Sequence, residues 1–205
     1  ISRGLVGSEM CIRDSSKSNH ISDSSYDENK RWPDGLSPFG FKVVKEMNKQ
    51  GVMIDISHVS DAAFMKVLEL SKAPVVATHS SLRHFTPGWE RNVSDEMLIA
   101  LAENGGVIQL CFGSDFVANR KDNPDIEVSV KNVVDHIDRV RDLVGIDHVG
   151  FGSDFDGEVP LPEDINDVSK FPNLIEELLI RGYTESEIDK ILNKNILRAV
   201  SYTHL

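Results

Sequence analysis

The chain has 205 residues, 40% of them apolar and 27% charged, and carries a formal net charge of -11. That balance fits a packed globular domain, and its acidity argues against a nucleic-acid partner, which needs a basic face, and against an anionic membrane surface. Cys11 and Cys111 are too few and too far apart for a disulfide framework or a thiolate zinc site, so any metal must be held by histidine and carboxylate. No apolar run approaches the roughly 20 residues of a membrane helix, no secretory signal pattern opens the chain, and localisation is left unassigned.

The first fifteen residues have neither helical nor strand periodicity, and "GLVGSEMCIRDS" resembles a translated sequencing adapter. The closing "SYTHL" resembles the matching artefact, so residues 1–16 and 200–205 are set aside as non-native and 17–199 is taken as one domain. Residues 17–38 are polar, with Trp32-Pro33-Asp34-Gly35 as turn punctuation, and read as a loop. Phe39, Val43, Val44 and Met47 form a helical stripe, broken at Gly51 before a strand over Val52–Ser57. Ser60-Asp61 caps a helix bearing Phe64, Val67 and Leu68, and Pro74–Thr78 is a second strand, ending on a histidine. Ser94-Asp95 opens a third helix, stopped by Gly105-Gly106 before the strand Val107–Phe112. A long helix marked by Val130, Val133, Ile137, Val140 and Val144 ends at Gly145, and the strand His148–Phe151 runs into "GSDFDG". Two helices close the chain: Leu174–Arg181, and one led by a Thr184-Glu185-Ser186-Glu187 capping box. Four alternating strand and helix units with continuously apolar strands predict a parallel α/β sheet or barrel.

Three of the four strands end on a residue of metal or proton chemistry: His58, His79 and Asp154. Parallel strands put their carboxyl ends on one face, so the three side chains should converge there. Each has a structural reading as well. A lone strand-end histidine is commonly just hydrogen-bonded, but two on consecutive parallel strands, twenty-one residues apart, make neighbours of a kind that suits zinc. Two ligands do not hold zinc tightly, so a carboxylate is owed from elsewhere. Asp154 sits at a strand tip, suited to proton transfer, whereas Asp156-Gly157 is the better turn. Arg91, in "TPGWERNVSD", could clamp a substrate carboxylate. His84 reads as surface or substrate rim, His136 as a satisfied structural histidine, and Asp55 as a residue that satisfies backbone donors or orients a ligand histidine.

"GLSPFGFKVVKEMNKQGVMIDISHVSDAAFMKVLELSKAPVVATHSS", "RNVSDEML", "VGFGSDFDG" and "DVSKFPNLIEELLIRGYTESEIDKILNKNILR", in that order, resemble the carboxyl-terminal half of the membrane (renal) dipeptidase family, peptidase family M19. The resemblance implies the C-terminal half of a (β/α)8 TIM barrel of the metal-dependent hydrolase type, with two zinc ions per complete site. It implies hydrolysis of dipeptides through a metal-bridging hydroxide. It further implies His58 and His79 as the two histidines on one zinc, Arg91 as the grip on the substrate's terminal carboxylate, and Asp154 as the acid/base that passes a proton to the leaving amine. The parent is expected to act on dipeptide substrates and admits a homodimer.

The family's His-x-Asp pair, its bridging glutamate and its oxyanion-steadying histidine should all precede Lys17, and they are absent. Ser15 and Ser16 stand near where the last is expected. The chain is therefore expected to hold about half a barrel and one zinc's pair of histidines. With two sheet edges and an apolar interior exposed, it is expected to be poorly soluble or to dimerise, and to lack peptidase activity. Two rival readings stay open: another binuclear amidohydrolase on the same barrel, which Arg91 would not suit, and a metal-free binding module, against which His58, His79 and Asp154 together speak.

Overall fold

Five strands lie side by side in the order of the sequence, every neighbouring pair parallel: β1 (Glu9–Cys11), β2 (Met53–Asp55), β3 (Val76–Ser80), β4 (Val107–Cys111) and β5 (Val149–Ser153). The structure, a computed structural model, describes residues 9–11, 17–157 and 159–201, the first three by their backbone alone. Most of the segments 1–16 and 200–205 that the sequence sets aside therefore lie outside the described residues.

Parallel neighbours need a crossover, and helices fill each one. In chain order they are α1 (Pro38–Gln50), α2 (Asp61–Leu70), α3 (Asp95–Glu103), the single turn α4 (Ser114–Val117), α5 (Val130–Val144), α6 (Phe171–Ile180), α7 (Glu185–Asp189) and α8 (Asn195–Val200). Successive helices touch, α1 with α2, α2 with α3, α3 with α5, and α5 with α6. A doubly wound sheet would place successive helices on opposite faces; one continuous helical layer over sequentially ordered strands is the winding of a barrel.

Local chemistry sets the helix starts. Ser37, Ser60 and Ser94 each accept a hydrogen bond from the N–H three residues on, and Thr184 and Glu187 form the reciprocal capping box. Such caps stabilise by about 1 kcal/mol each. The core is one large apolar cluster, in which Phe64, Leu98, Leu101, Ile108, Leu110 and Phe112 are fully buried. Phe112, Phe151, Phe155 and Phe171 pack edge to face or tilted at 5.7–6.2 Å beneath the end of β5.

Several expectations are corrected. The strand expected over Val52–Ser57 is only Met53–Asp55, because the backbone turns away from β3 after one ladder position, Asp55 opposite Val76. β3 starts two residues later than expected and runs through His79 to Ser80, and His148 belongs to a 3-10 turn before β5. The closing helix is interrupted by a π segment, Lys190–Lys194, where Asn195 leaves solvent to donate to the carbonyls of Ile146 (2.7 Å) and Val149 (2.8 Å). Glu9–Cys11, for which no strand was expected, pairs with Met53–Asp55: the exposed ladder groups of β2 can template a short extended segment through backbone bonds alone.

Residues 17–38, read as a loop, fold into a cap fastened to the mouth of the sheet. Ser22 bridges to Leu36 and Ser24 to Val59. The fully buried carboxylate of Asp23 accepts from the N–H groups of Arg31 (3.0 Å) and Trp32 (2.8 Å). Its polarity hid this role, since no periodic pattern marks a segment whose core is a buried carboxylate and its donors.

His136, in α5, ties the mouth to the helical layer. Completely buried, it accepts from Leu82 N–H at Nδ1 (3.0 Å), and its Nε2 faces the Val117 carbonyl at 3.1 Å. Burial depresses its pKa to about 4 from an ordinary 6.5, with the carbonyl opposing and His84 adding to the shift. The unfolded chain takes up this proton near pH 6.5 and the folded chain only near 4, so the stability contributed is whole above 6.5 and is lost as pH falls from there to 4. The loss should be about 2 kcal/mol between pH 7 and pH 5 and about 3 kcal/mol in all. Urea unfolding at the two pH values, with His136→Gln as the comparison, checks it: the variant should lose clearly less stability on acidification.

Candidate active site

His58 stands three residues beyond β2, His79 is the next-to-last residue of β3, and Asp154 comes directly after β5. All three occupy the carboxyl end of the sheet. His58, Ser153 and Asp154 are the non-glycine residues with positive φ among those described, at 69°, 43° and 66°. Such backbone costs of order 1–3 kcal/mol and persists where the surroundings over-determine it, commonly at sites of function.

Irregularities in the ladder aim these side chains. Between β3 and β4, Ala77 pairs with Ile108 and Ser80 with Leu110, so β3 carries one residue more than its partner around Thr78 and His79. Between β4 and β5, Leu110 pairs with Phe151 and Cys111 with Ser153, leaving Gly152 as the extra residue just before Asp154. A bulge re-aims the residues beside it. In a regular strand Thr78 and His79 would point to opposite faces; here Thr78 Oγ1 lies 2.8 Å from His79 Nδ1. Gly152 is obligatory, because a Cβ there would sit 2.2 Å from the Thr78 carbonyl oxygen.

Asp55 explains why a carboxylate stands in an apolar strand. Once β2 peels away, the N–H groups of Ser57 and Thr78 lose strand partners, and Asp55 Oδ1 accepts both, at 2.9 and 3.1 Å. Its Oδ2 accepts from the Thr78 hydroxyl at 2.7 Å. With its own proton committed to Asp55, the Thr78 oxygen is left to accept from His79 Nδ1, which leaves the lone pair of His79 Nε2 facing outward. There it meets His58 Nε2 at 2.8 Å.

The two Nε2 atoms thus aim at one point. Two nitrogens on one tetrahedral zinc, each about 2.0–2.1 Å from it, stand roughly 3.3 Å apart, so the pair needs little adjustment to share an ion. The donor set fits zinc as part of a site. Among the described residues no third histidine, cysteine, aspartate or glutamate completes a metal-binding cluster with them.

Arg91 is held in the loop after β3. Its guanidinium is buried, donating to Ser80 Oγ (2.7 Å) and to the His79 carbonyl (2.6 Å), and lies 5.1 Å above the Phe116 ring. Two of five N–H donors are used, Nε is buried without a hydrogen-bond partner, and no carboxylate pairs with Arg91 among the described residues. Asn92 fixes the loop: completely buried, it accepts from Ser81 N–H and donates to Thr86 Oγ1 and the Phe116 carbonyl. That neighbour of Arg91 escaped notice in the sequence, where "RN" draws attention only to the charge.

Asp154 closes a turn in which Gly157 N–H donates to its carbonyl (3.1 Å), while a Cβ on Gly157 would lie 2.5 Å from Asp154 Oδ1. Asp156 is exposed. The Cys111 thiol lies 3.7 Å from Asp154 Oδ2, and burial pushes its pKa up to about 12, so it stays protonated and faces the carboxylate as a weak donor. His84 is exposed and meets Phe85 edge to face. Tyr26, from the cap, has no counterpart in the sequence reading, yet its ring leans on His58 with centroids 5.8 Å apart.

A sequence profile of the membrane dipeptidase family, peptidase family M19, matches residues 13–204. The chain belongs to this family. Among solved structures, a metallopeptidase from Rhodobacter sphaeroides, liganded with a phosphinate mimic of the dipeptide L-Ala-D-Ala, is 35% identical, with a TM-score of 0.76 over 83% of this chain and 48% of its own. The probable dipeptidase PvdM from Pseudomonas aeruginosa is 29% identical, with a TM-score of 0.81 over 90% of this chain and 60% of its own. An amidohydrolase from Pseudomonas aeruginosa is also 29% identical, with a TM-score of 0.80 over 95% and 63%. The chain spans about half to three fifths of the length of these relatives. Within this M19 chain the sequentially wound sheet is a partial TIM barrel, and its mouth is the face on which such barrels carry their chemistry.

Proposed function

We propose that this M19 chain is the zinc- and substrate-binding carboxyl-terminal half of a dipeptidase. Residues 17–199 form its domain, which the family match exceeds by a few residues at each end. The observation that carries the reading is a buried guanidinium, Arg91, with no carboxylate partner among the described residues, beside two imidazoles sharing one focus. A buried cation left unpaired is costly, so the site is built for an anion, and a free peptide carboxylate meets the fork in bidentate fashion.

In this reading His58 and His79 hold one of two zinc ions, with Asp55 and Thr78 fixing the tautomer of His79. When bound, zinc would supply hydroxide near neutral pH and polarise the scissile carbonyl. Arg91 binds and orients the terminal carboxylate. Hydrolysis replaces the C–N bond with a C–O bond, and the proton that water loses must reach the leaving amine; Asp154 is the carboxylate placed to carry it. Among the described residues no further ligand joins the two histidines, so in this reading the remaining ligands come from elsewhere in the complete protein. Assembly as a homodimer belongs to the same proposal, supported by exposed Ile180 and Leu197 and tested by sedimentation.

The deciding experiment completes this chain with the part of its relatives' length that it does not span and measures zinc content and cleavage of L-Ala-D-Ala. About two zinc ions per chain with turnover are expected. Less than one zinc at saturation favours a metal-free binding module, and turnover of lactams or phosphoesters in place of dipeptides favours another amidohydrolase. Thr78→Val, which removes only the hydroxyl between Asp55 and His79, should weaken zinc binding about 10- to 100-fold in a chelator competition, the usual effect of losing a group that orients a metal ligand.

A further inference from the structure

The cap that covers residues 17–38 brings one side chain into the mouth, and it is not among the residues assigned above. The turn bearing Tyr26 is fastened to the backbone next to a candidate metal ligand: Ser25 N–H donates to the His58 carbonyl (2.9 Å), Ser24 bridges to Val59, and Tyr26 N–H donates to Ser24 Oγ (3.2 Å). Further along the cap, Lys30 reaches Glu90, the residue before Arg91, at 2.7 Å. The cap is thereby tied both to the histidine strand and to the arginine loop, with Tyr26 between them. Its ring is tilted at 42° against His58, and 40% of the residue remains exposed, which places it at the rim. Its hydroxyl lies in the field of Arg91, Cys111 and Asp154.

We propose that Tyr26 is a specificity-determining residue of this site: its phenol joins Arg91 in binding the free carboxylate of the substrate's C-terminal residue, and its ring walls the space beside that carboxylate. The inference rests on the dipeptidase reading. Arg91 has spent two donors on Ser80 and on the His79 carbonyl, and a carboxylate offers about four acceptor positions, so a second donor close to the guanidinium has a use. The phenol is suited to it. A phenol hydroxyl is a neutral group that can donate to a carboxylate. A phenol, unlike a second cation, adds no charge repulsion beside Arg91 or the metal.

The test uses the zinc-loaded complete protein, its Tyr26→Phe variant, the dipeptide L-Ala-D-Ala and the C-terminal amide of that dipeptide. Steady-state kinetics and calorimetric binding are measured for each pair. Tyr26→Phe keeps the ring, so the fold is preserved. KM and the dissociation constant for the free dipeptide should rise about tenfold, with kcat changed less than twofold and the amide unaffected. An equal change for dipeptide and amide, or no change for either, overturns the inference while leaving the dipeptidase reading standing. A wild-type protein that binds the dipeptide Tyr26-dependently but does not cleave it sinks the peptidase reading and keeps Tyr26 as a carboxylate-binding residue. Binding of neither ligand rejects both.

Discussion

Asp154→Asn should lower kcat for dipeptide hydrolysis by about 10²- to 10⁴-fold, the range in which a positioned proton-transfer group contributes, with KM little changed. The substitution is nearly isosteric, and asparagine tolerates the left-handed backbone that Asp154 adopts, so the turn onto Gly157 and the packing of Phe155 should survive. What the carboxamide cannot do is take up and return a proton. Steady-state kinetics of the zinc-loaded complete protein, beside circular dichroism to show that the fold is intact, make the measurement. A variant within about threefold of the wild-type kcat would move the proton transfer to another group.

Arg91→Ala should raise KM for free dipeptides by about 10- to 100-fold, since hydrogen bonds to a charged group are worth about 1.5–3 kcal/mol. Substrates whose C-terminus is amidated should lose far less. Arg91→Lys should not restore binding, because a point charge cannot reproduce a fork already anchored on Ser80 and the His79 carbonyl. Stability should move little, as the guanidinium is buried without a carboxylate partner among the described residues and its removal relieves that cost. If dipeptide KM barely changed, the free carboxylate would not be what this cleft recognises, and the amidohydrolase alternative would gain.

Both predictions depend on a mouth assembled by strand irregularity. Thr78 with His79 and Gly152 before Asp154 are extra residues in the ladder, and each re-aims a side chain that an unbroken strand would send elsewhere. The regular part of the fold and the reactive part thus meet within one or two residues of each strand end. Gly152→Ala would be felt at both, since its methyl would press on the Thr78 carbonyl.

Much of this molecule was written in its residues one segment at a time. Alternating apolar strands and capped amphipathic helices determined a parallel α/β arrangement, and Ser60, Ser94 and Thr184 marked helix starts that the structure keeps. The strand-end positions of His58, His79 and Asp154 were legible because side chains there inherit a direction from the backbone that precedes them. Tertiary structure alone decided what those residues touch. That Asp55 substitutes for a missing ladder partner, that Thr78 turns toward His79, and that Asp23, Asn92 and His136 are buried and satisfied all depend on hydrogen-bond partners 8 to 54 residues away. Tyr26 belongs to the same class, since a polar loop has no period to reveal it and only the folding of the cap against His58 brings its ring to the site. Local pattern fixes elements because it acts through neighbours in sequence; a site is made of neighbours in space, and hydrogen bonds that close over long chain separations leave no periodic trace.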